Sequence, residues 1–149
     1  MSKKYLSTKN KNLYNKIVNF FTKKGNKVKA TNLVNSAFDK ISKSTGLSFN
    51  EILSKLYSKL NSFVEIKKIK VRRGFHLVPF PISYKRSTYL MIKWLLQAIK
   101  EDKRKIPISD KLFLEINQTI SSPSSKSLEI KNSNITQVLA NRSNIHFRW

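Results

Sequence analysis

The fold of this chain is decided by residues 65–99, which read EIKKIKVRRGFHLVPFPISYKRSTYLMIKWLLQAI. In the first half, two runs rich in β-branched and aromatic residues flank a turn near residues 71–74. This pattern predicts a two-stranded β-hairpin at about residues 64–82. Pro79 and Pro81 cannot donate a hydrogen bond to a ladder, so we expect them to face an open edge of this ribbon.

The second half of the stretch predicts a helix over residues 83–100. Its residues are apolar almost all round, which is typical of a helix at the centre of a core. Its first turn carries Lys85 and Arg86, where the helix dipole disfavours cations. A phosphate bound at this end would offset that cost, because helix N-termini bind anions. Two solvated side chains explain these cations equally well.

Before this stretch, apolar residues recur at helical spacing and predict three helices joined by short connections. Gly25 and Gly46 stand where the first two helices should end. Ser48 and Glu51 have the spacing of a capping box and should open the third helix.

After the central helix, we expect one helix up to the serine-rich break at residues 121–125 and a weaker helix over residues 128–144. The predicted core contacts of the weaker helix are Ile135, Val138 and Leu139. The predicted fold is mainly α: a single helical bundle of about six helices, with a two-stranded β-ribbon protruding between the third and fourth helices.

We expect a basic N-terminal arm at residues 1–12 and a single helical domain at residues 13–149. The domain contains the ribbon and ends in a tail at residues 145–149, in which apolar or aromatic side chains alternate with basic ones. A short lysine-rich arm of this kind is typical of a segment that becomes ordered on contact with nucleic acid.

The charge of the chain indicates a polyanionic partner. The 149 residues include 30 Lys and Arg against 8 Asp and Glu, giving a net charge of +22. Such a charge opposes compaction unless an anion neutralises it, yet 40% of the residues are hydrophobic, which predicts a folded core. We expect no role at a membrane surface, because the bundle buries the apolar faces.

No constellation of catalytic or metal-binding residues is visible. The acidic residues are scattered, the only histidines are His76 and His146, there is no cysteine, and no glycine-rich phosphate loop occurs. Two histidines without thiols or nearby carboxylates make a weak zinc site. We therefore expect a protein that is not an enzyme and that has no metal, cofactor or small-molecule substrate.

Basic residues interleaved with aromatic residues are instead typical of RNA-binding surfaces. Lysine and arginine neutralise phosphates, while aromatic faces and guanidinium planes stack on unpaired bases. The alternative is that Phe75 and Trp149 pack on the body, and for Trp149 the two interpretations have equal weight. The predicted RNA-binding residues are Lys3, Lys4, Lys9 and Lys11 in the arm, Lys67, Lys68, Lys70, Arg72, Arg73, Phe75 and His76 in the ribbon, Lys85 and Arg86 after it, and His146, Arg148 and Trp149 in the tail.

The order and spacing of several fragments resemble the bacterial and organellar family of small-subunit ribosomal protein seven. The fragments are NKI at residues 15–17, KKG at 23–25, KSTG at 43–46, VEIK at 64–67, VP at 78–79, LMIKWL at 90–95, ANR at 140–142 and HFRW at 146–149. The ribbon turn departs from the family, which usually has a Gly-Gly pair where this chain has Arg72-Arg73-Gly74. The predicted RNA-binding set also includes Lys23, Lys24, Lys27, Lys29 and Arg142.

The resemblance implies a helical body with a protruding ribbon that binds the 3′ major domain of small-subunit rRNA. It also implies that the protein nucleates assembly of the subunit head. Its expected surroundings are other head and platform ribosomal proteins, with the exit-site tRNA and the outgoing mRNA nearby.

Two questions remain open at the level of sequence. An architectural DNA-binding protein, which inserts a basic ribbon into a minor groove, is the alternative function. The divergent ribbon and the abundance of Lys, Asn and Ile favour a mitochondrial ribosome, with a plastid or the bacterial cytoplasm as alternatives.

Overall fold

The computed structural model describes residues 8–148 and confirms the predicted fold class. The elements are α1 Thr8–Phe21, α2 Lys27–Thr45, α3 Phe49–Leu60, β1 Val64–Val71, β2 Gly74–Pro81, α4 Tyr84–Glu101, α5 Ile108–Ser121 and α6 Lys126–Ala140, followed by a 3₁₀ helix, Arg142–Phe147. The strands β1 and β2 form one antiparallel ribbon between α3 and α4. No helix within residues 8–148 is long and apolar enough to cross a membrane.

Helix α4 occupies the centre of the bundle, as its composition predicts. It packs against α1, α3, α5 and α6, and the side chains of Met91, Ile92 and Leu95 are fully buried. Each such side chain contributes about 1.5–3 kcal/mol to folding. The rest of the core comes mainly from α1, α2, α3 and α5.

Local signals act as predicted at the end of α2 and the start of α3, whereas α1 ends at Phe21, four residues before Gly25, which lies in the following turn. Gly46 adopts a left-handed conformation with φ of 68° and closes α2 with a hydrogen bond from its N–H to the Ser42 carbonyl. Ser48 and Glu51 form the capping box of α3, with the Ser48 N–H donating to Glu51 Oε2 at 2.8 Å. This bond holds the pKa of Glu51 below its ordinary value.

A buried polar cluster joins α5 to α6. The Glu115 carboxylate on α5 accepts hydrogen bonds from the Ser127 N–H at 2.9 Å and the Ser127 hydroxyl at 2.6 Å, at the start of α6. The Thr119 hydroxyl lies 3.0 Å from that of Ser125. In the sequence, Glu115 is only one of the scattered acidic residues. In the structure, its carboxylate accepts a hydrogen bond from a backbone N–H in the first turn of α6, which has no partner within that helix.

The prediction for the face of α6 is wrong in part. Ile135 and Leu139 are 38% and 60% exposed, while Val138 is half-buried. The residues that turn inward are half polar and half apolar: Ser127, Lys131 and Asn134 lie on the same side as Leu128, Ile130 and Val138. Ile135 and Leu139 therefore did not mark the buried side of this helix.

The ends of the chain differ from the predicted boundaries. Helix α1 begins at Thr8, so residues 8–12 of the predicted arm are helical. The rest of the arm, including Lys3 and Lys4, lies outside the described residues. The predicted helix over residues 128–144 ends at Ala140, and most of the tail belongs to the 3₁₀ helix Arg142–Phe147.

Candidate nucleic-acid interface

The register of the ribbon explains how it accommodates two prolines. Val71 pairs with Gly74 across a two-residue turn, and Ile66 and Val64 pair with Pro79 and Pro81. Hydrogen-bonded and non-hydrogen-bonded pairs alternate outward from such a turn, so both prolines fall at non-hydrogen-bonded positions. Their nitrogens therefore point away from β1, as predicted from the sequence.

One side of the outer ribbon is solvent-exposed, and we call Lys68, Lys70, Phe75 and Leu77 its open face. These residues occupy two cross-strand pairs, Lys68–Leu77 and Lys70–Phe75, and so project to the same side. The Phe75 ring is 61% exposed, with the Lys68 ammonium 4.7 Å from its centroid. Phe75 does not pack on the body, which leaves its ring available for stacking.

The turn places two further cations at the tip. Arg72 and Arg73 are the two turn residues and are both exposed. Arg72 has a φ of 52°, a left-handed conformation that costs a non-glycine residue about 1–2 kcal/mol. Glycine usually occupies such positions in tight hairpins, so this chain carries positive charge where the backbone favours glycine.

The opposite side of the outer ribbon is covered by the 3₁₀ helix. The Phe147 ring stacks on the His76 ring, with centroids 4.6 Å apart, and the Asn144 side-chain amide donates to the Leu77 carbonyl at 3.1 Å. His146 Nδ1 lies 2.7 Å from the Ser143 carbonyl. His76 of the predicted interface thus stacks on a ring of the tail, while Arg142 and Arg148 remain exposed. Trp149 lies outside the described residues.

An ion pair joins the root of the ribbon to α4. The Arg86 guanidinium makes a bidentate contact with the Glu65 carboxylate, its Nε donating to Oε2 at 2.9 Å. These hydrogen bonds hold the pKa of Glu65 below its ordinary value. The same guanidinium lies over the Tyr89 ring, 5.0 Å from its centroid. Arg86 therefore has a structural role, and its predicted contact with RNA remains a prediction.

The remaining predicted cations are exposed but do not form a single cluster with the ribbon. Lys9 and Lys11 begin α1, while Lys23, Lys24, Lys27 and Lys29 surround the turn at its other end. Because α1 has 14 residues, the two groups are about 20 Å apart. The middle of α1 approaches the ribbon root, where Lys16 Nζ lies 3.5 Å from the Lys85 carbonyl.

A groove between α1, α4 and α5 was not predicted from the sequence. Its apolar floor is rimmed by Lys23, Lys93, Lys100 and Lys111, of which only Lys23 belongs to the predicted set. Lys93 and Lys100 are seven residues apart on α4, a spacing that places both on one helix face and could have indicated the groove. Within residues 8–148, no group of three or more acidic or histidine side chains could hold a metal ion.

Comparisons with known proteins agree on one family. Residues 2–142 match the family model described as Ribosomal protein S7p/S5e. The small ribosomal subunit protein uS7m of Drosophila melanogaster is 29% identical, over 90% of this chain and 67% of that protein. The small ribosomal subunit protein uS7 of Pelagibacter ubique is 28% identical, over 94% of this chain and 88% of that protein. The protein of the same name from Caldicellulosiruptor saccharolyticus is 27% identical, over 90% and 85%.

Proposed function

Because this chain belongs to the Ribosomal protein S7p/S5e family and is a structural constituent of the small ribosomal subunit, we propose that it binds the 3′ major domain of the subunit's rRNA and nucleates assembly of the head. The family is structural rather than catalytic. The observation that carries the proposal is the open face of the ribbon, where exposed cations surround an exposed aromatic ring.

The mechanism combines electrostatic clamping with recognition of shape. The bundle holds a rigid base, and the ribbon extends exposed Lys68, Lys70, Arg72 and Arg73 between RNA helices. The Phe75 ring stacks on an unpaired base, a contact worth about 1–3 kcal/mol. About ten phosphate contacts across the protein would make the logarithm of the affinity fall with that of the salt concentration at a slope of about −7 to −9.

The surroundings of the protein form a finer part of the proposal. We expect the tip of the ribbon to lie near the exit-site tRNA and the outgoing mRNA. The side chains of Ile135, Leu139 and Ile145 are exposed and do not belong to the bundle core. We expect them to make apolar contacts with neighbouring head and platform proteins. A mitochondrial ribosome is the proposed location, supported by the similarity to uS7m.

The test is binding of the purified protein to a 3′ major-domain rRNA fragment and to duplex DNA of random sequence, across a salt series. The ribbon variant is Lys68→Ala/Lys70→Ala, and its matched control is Lys43→Ala/Lys55→Ala, two exposed lysines of α2 and α3. We expect preference for the RNA, a loss of about tenfold or more in the ribbon variant, and a smaller loss in the control. Equal affinity for DNA would favour the architectural DNA-binding function, and equal losses in both variants would exclude the open face as the binding surface.

A further inference from the structure

The groove between α1, α4 and α5 has the composition of a binding site. Its volume is about 610 Å³. The floor is formed by Phe20, Phe21, Leu96, Ile99 and Ile108. Ile108 is 42% exposed and the phenylalanines are half-buried, so the core does not consume this apolar surface.

The charged residues that line the groove are all cationic: Lys23, Lys93, Lys100 and Lys111. Gln97 also lines the groove, and its amide donates to the Glu101 carboxylate at 2.9 Å. The Lys111 ammonium donates to the Asp102 carbonyl at 2.7 Å, which fixes its position, and it also interacts electrostatically with the Asp102 carboxylate. No rim lysine takes part in the ion pairs formed within residues 8–148.

The groove continues a basic and aromatic seam that begins at the root of the ribbon. The Phe20 ring lies 5.3 Å from that of Tyr89, which in turn contacts Arg86. Lys16 on α1 reaches Lys85 at the start of α4. From Lys85 to Lys100, α4 extends this seam for about 22 Å. A strand of RNA that leaves the ribbon and follows α1 and α4 would therefore reach the groove.

We propose that the groove binds an unpaired segment of RNA, with a base against the apolar floor and the neighbouring phosphates on Lys93 and Lys100. This inference rests on the proposed function in naming RNA as the ligand, and it assigns a second binding surface apart from the open face. Single-stranded nucleic acid is typically held by a cationic groove with aromatic groups at its base. A duplex presents only phosphates and sugars here and would leave the floor uncovered. An acidic peptide would also match the rim, but the seam that leads to the ribbon favours RNA.

The experiment uses the full chain and two RNAs, an unstructured twelve-nucleotide oligouridine and the 3′ major-domain fragment, over a salt series. Lys93→Ala/Lys100→Ala removes two rim cations, and Lys43→Ala/Lys55→Ala is again the control of equal charge. We expect a loss of about tenfold in affinity for oligouridine and a salt slope shallower by about 1.4 in the groove variant only. Circular dichroism and the Tm establish that each variant is folded.

A second variant separates the floor from the rim. Ile108→Gln changes no charge and alters an exposed side chain at the start of α5. We expect it to weaken oligouridine binding severalfold with an unchanged salt slope. Photocrosslinking of 4-thiouridine-substituted oligouridine should then yield peptides of α1, α4 or α5 from the wild type and much less from Ile108→Gln.

Each outcome bears on the groove independently of the proposed function. Equal losses in the groove and control variants, or crosslinks confined to the ribbon, would overturn the inference even if the protein prefers the rRNA fragment. Binding of an Asp- and Leu-rich peptide that competes for the groove, with RNA affinity unchanged in both variants, would assign it to a protein partner and overturn it too. Selective loss of oligouridine binding would support the groove even if the rRNA fragment were not preferred.

Discussion

Glu65 should set the direction of the ribbon, and Glu65→Gln is expected to weaken RNA binding although it removes a negative charge from a cationic protein. The carboxylate is bidentate to Arg86, which is fixed in turn over Tyr89 on α4. The Arg86 side chain is 46% exposed, so we expect solvent to limit the contribution of the pair to about 1 kcal/mol of the free energy of unfolding. Without the ion pair, the ribbon must be oriented when RNA binds. If this costs the same binding free energy of about 1 kcal/mol, the affinity for RNA falls about fivefold.

The assay compares Glu65→Gln with Asp39→Asn, which removes the same charge from an exposed position on α2. Both variants raise the net charge by one, so electrostatics alone predicts equal and slightly tighter binding of the rRNA fragment. We expect only Glu65→Gln to bind more weakly, while the affinities of both variants for duplex DNA remain similar. Equal behaviour of the two variants toward the rRNA fragment would refute the positioning role.

The pH dependence of the same pair gives an independent measurement. The pKa of Glu65 is lowered in the folded protein, chiefly by the hydrogen bonds from Arg86. The stability that the pair contributes is therefore present above the unfolded carboxyl pKa of about 4.3 and is lost as the pH falls through the folded value. Urea unfolding should show the largest difference between wild type and Glu65→Gln near pH 7. A difference that persists undiminished after Glu65 is protonated would contradict this account.

Three further predictions concern single side chains. Glu115→Gln should lower the free energy of unfolding by about 1–3 kcal/mol, and a double-mutant cycle with Ser127→Ala in urea unfolding should give a clearly non-zero coupling energy, since the two form buried charge-assisted hydrogen bonds. Arg72→Gly should slow amide hydrogen exchange in the ribbon by relieving about 1 kcal/mol of strain while lowering the slope of RNA affinity against salt. Phe75→Ala should leave the Tm nearly unchanged, because the ring is 61% exposed, but should cost about 1–3 kcal/mol of RNA binding in a filter assay.

Each of these predictions has an outcome that contradicts it. Additive effects of Glu115→Gln and Ser127→Ala would show that the hydrogen bonds do not couple the two helices. Unchanged or faster exchange in Arg72→Gly would show that the left-handed turn carries no strain. A large fall in the Tm of Phe75→Ala would show that the ring stabilises the fold, and unchanged RNA affinity would exclude stacking.

Local signals made much of the fold predictable. Alternating β-prone residues and a turn identify the ribbon, and Gly46 and the Ser48–Glu51 capping box mark helix ends within a few residues of sequence. Pro79 and Pro81 also constrain the register, because each must occupy a position whose backbone nitrogen points away from the partner strand. These features depend on neighbours in the chain, which is why the sequence alone reveals them.

The candidate site was less predictable because its contacts join distant parts of the chain. The stack of His76 on Phe147 covers one side of the ribbon, and no spacing rule indicates it. The role of Glu65 depends on Arg86, and the groove depends on three helices meeting around Lys93 and Lys100. The prediction for helix α6 was wrong in part because its inward face mixes polar and apolar residues, so apolar spacing identified Val138 but also two exposed residues, Ile135 and Leu139.

The two prolines of β2 also bear on how the protein avoids aggregation while it is not bound to RNA. An exposed two-stranded ribbon offers unpaired backbone groups to the ribbon of another copy, a route to aggregation. Pro79 and Pro81 remove two amide donors from the outer edge of β2, and Asn144 occupies the Leu77 carbonyl on that edge. Lys67, Lys68 and Lys70 place charge along β1, where a second cationic ribbon would be repelled. The ribbon can therefore extend into solvent without pairing with a strand of another copy.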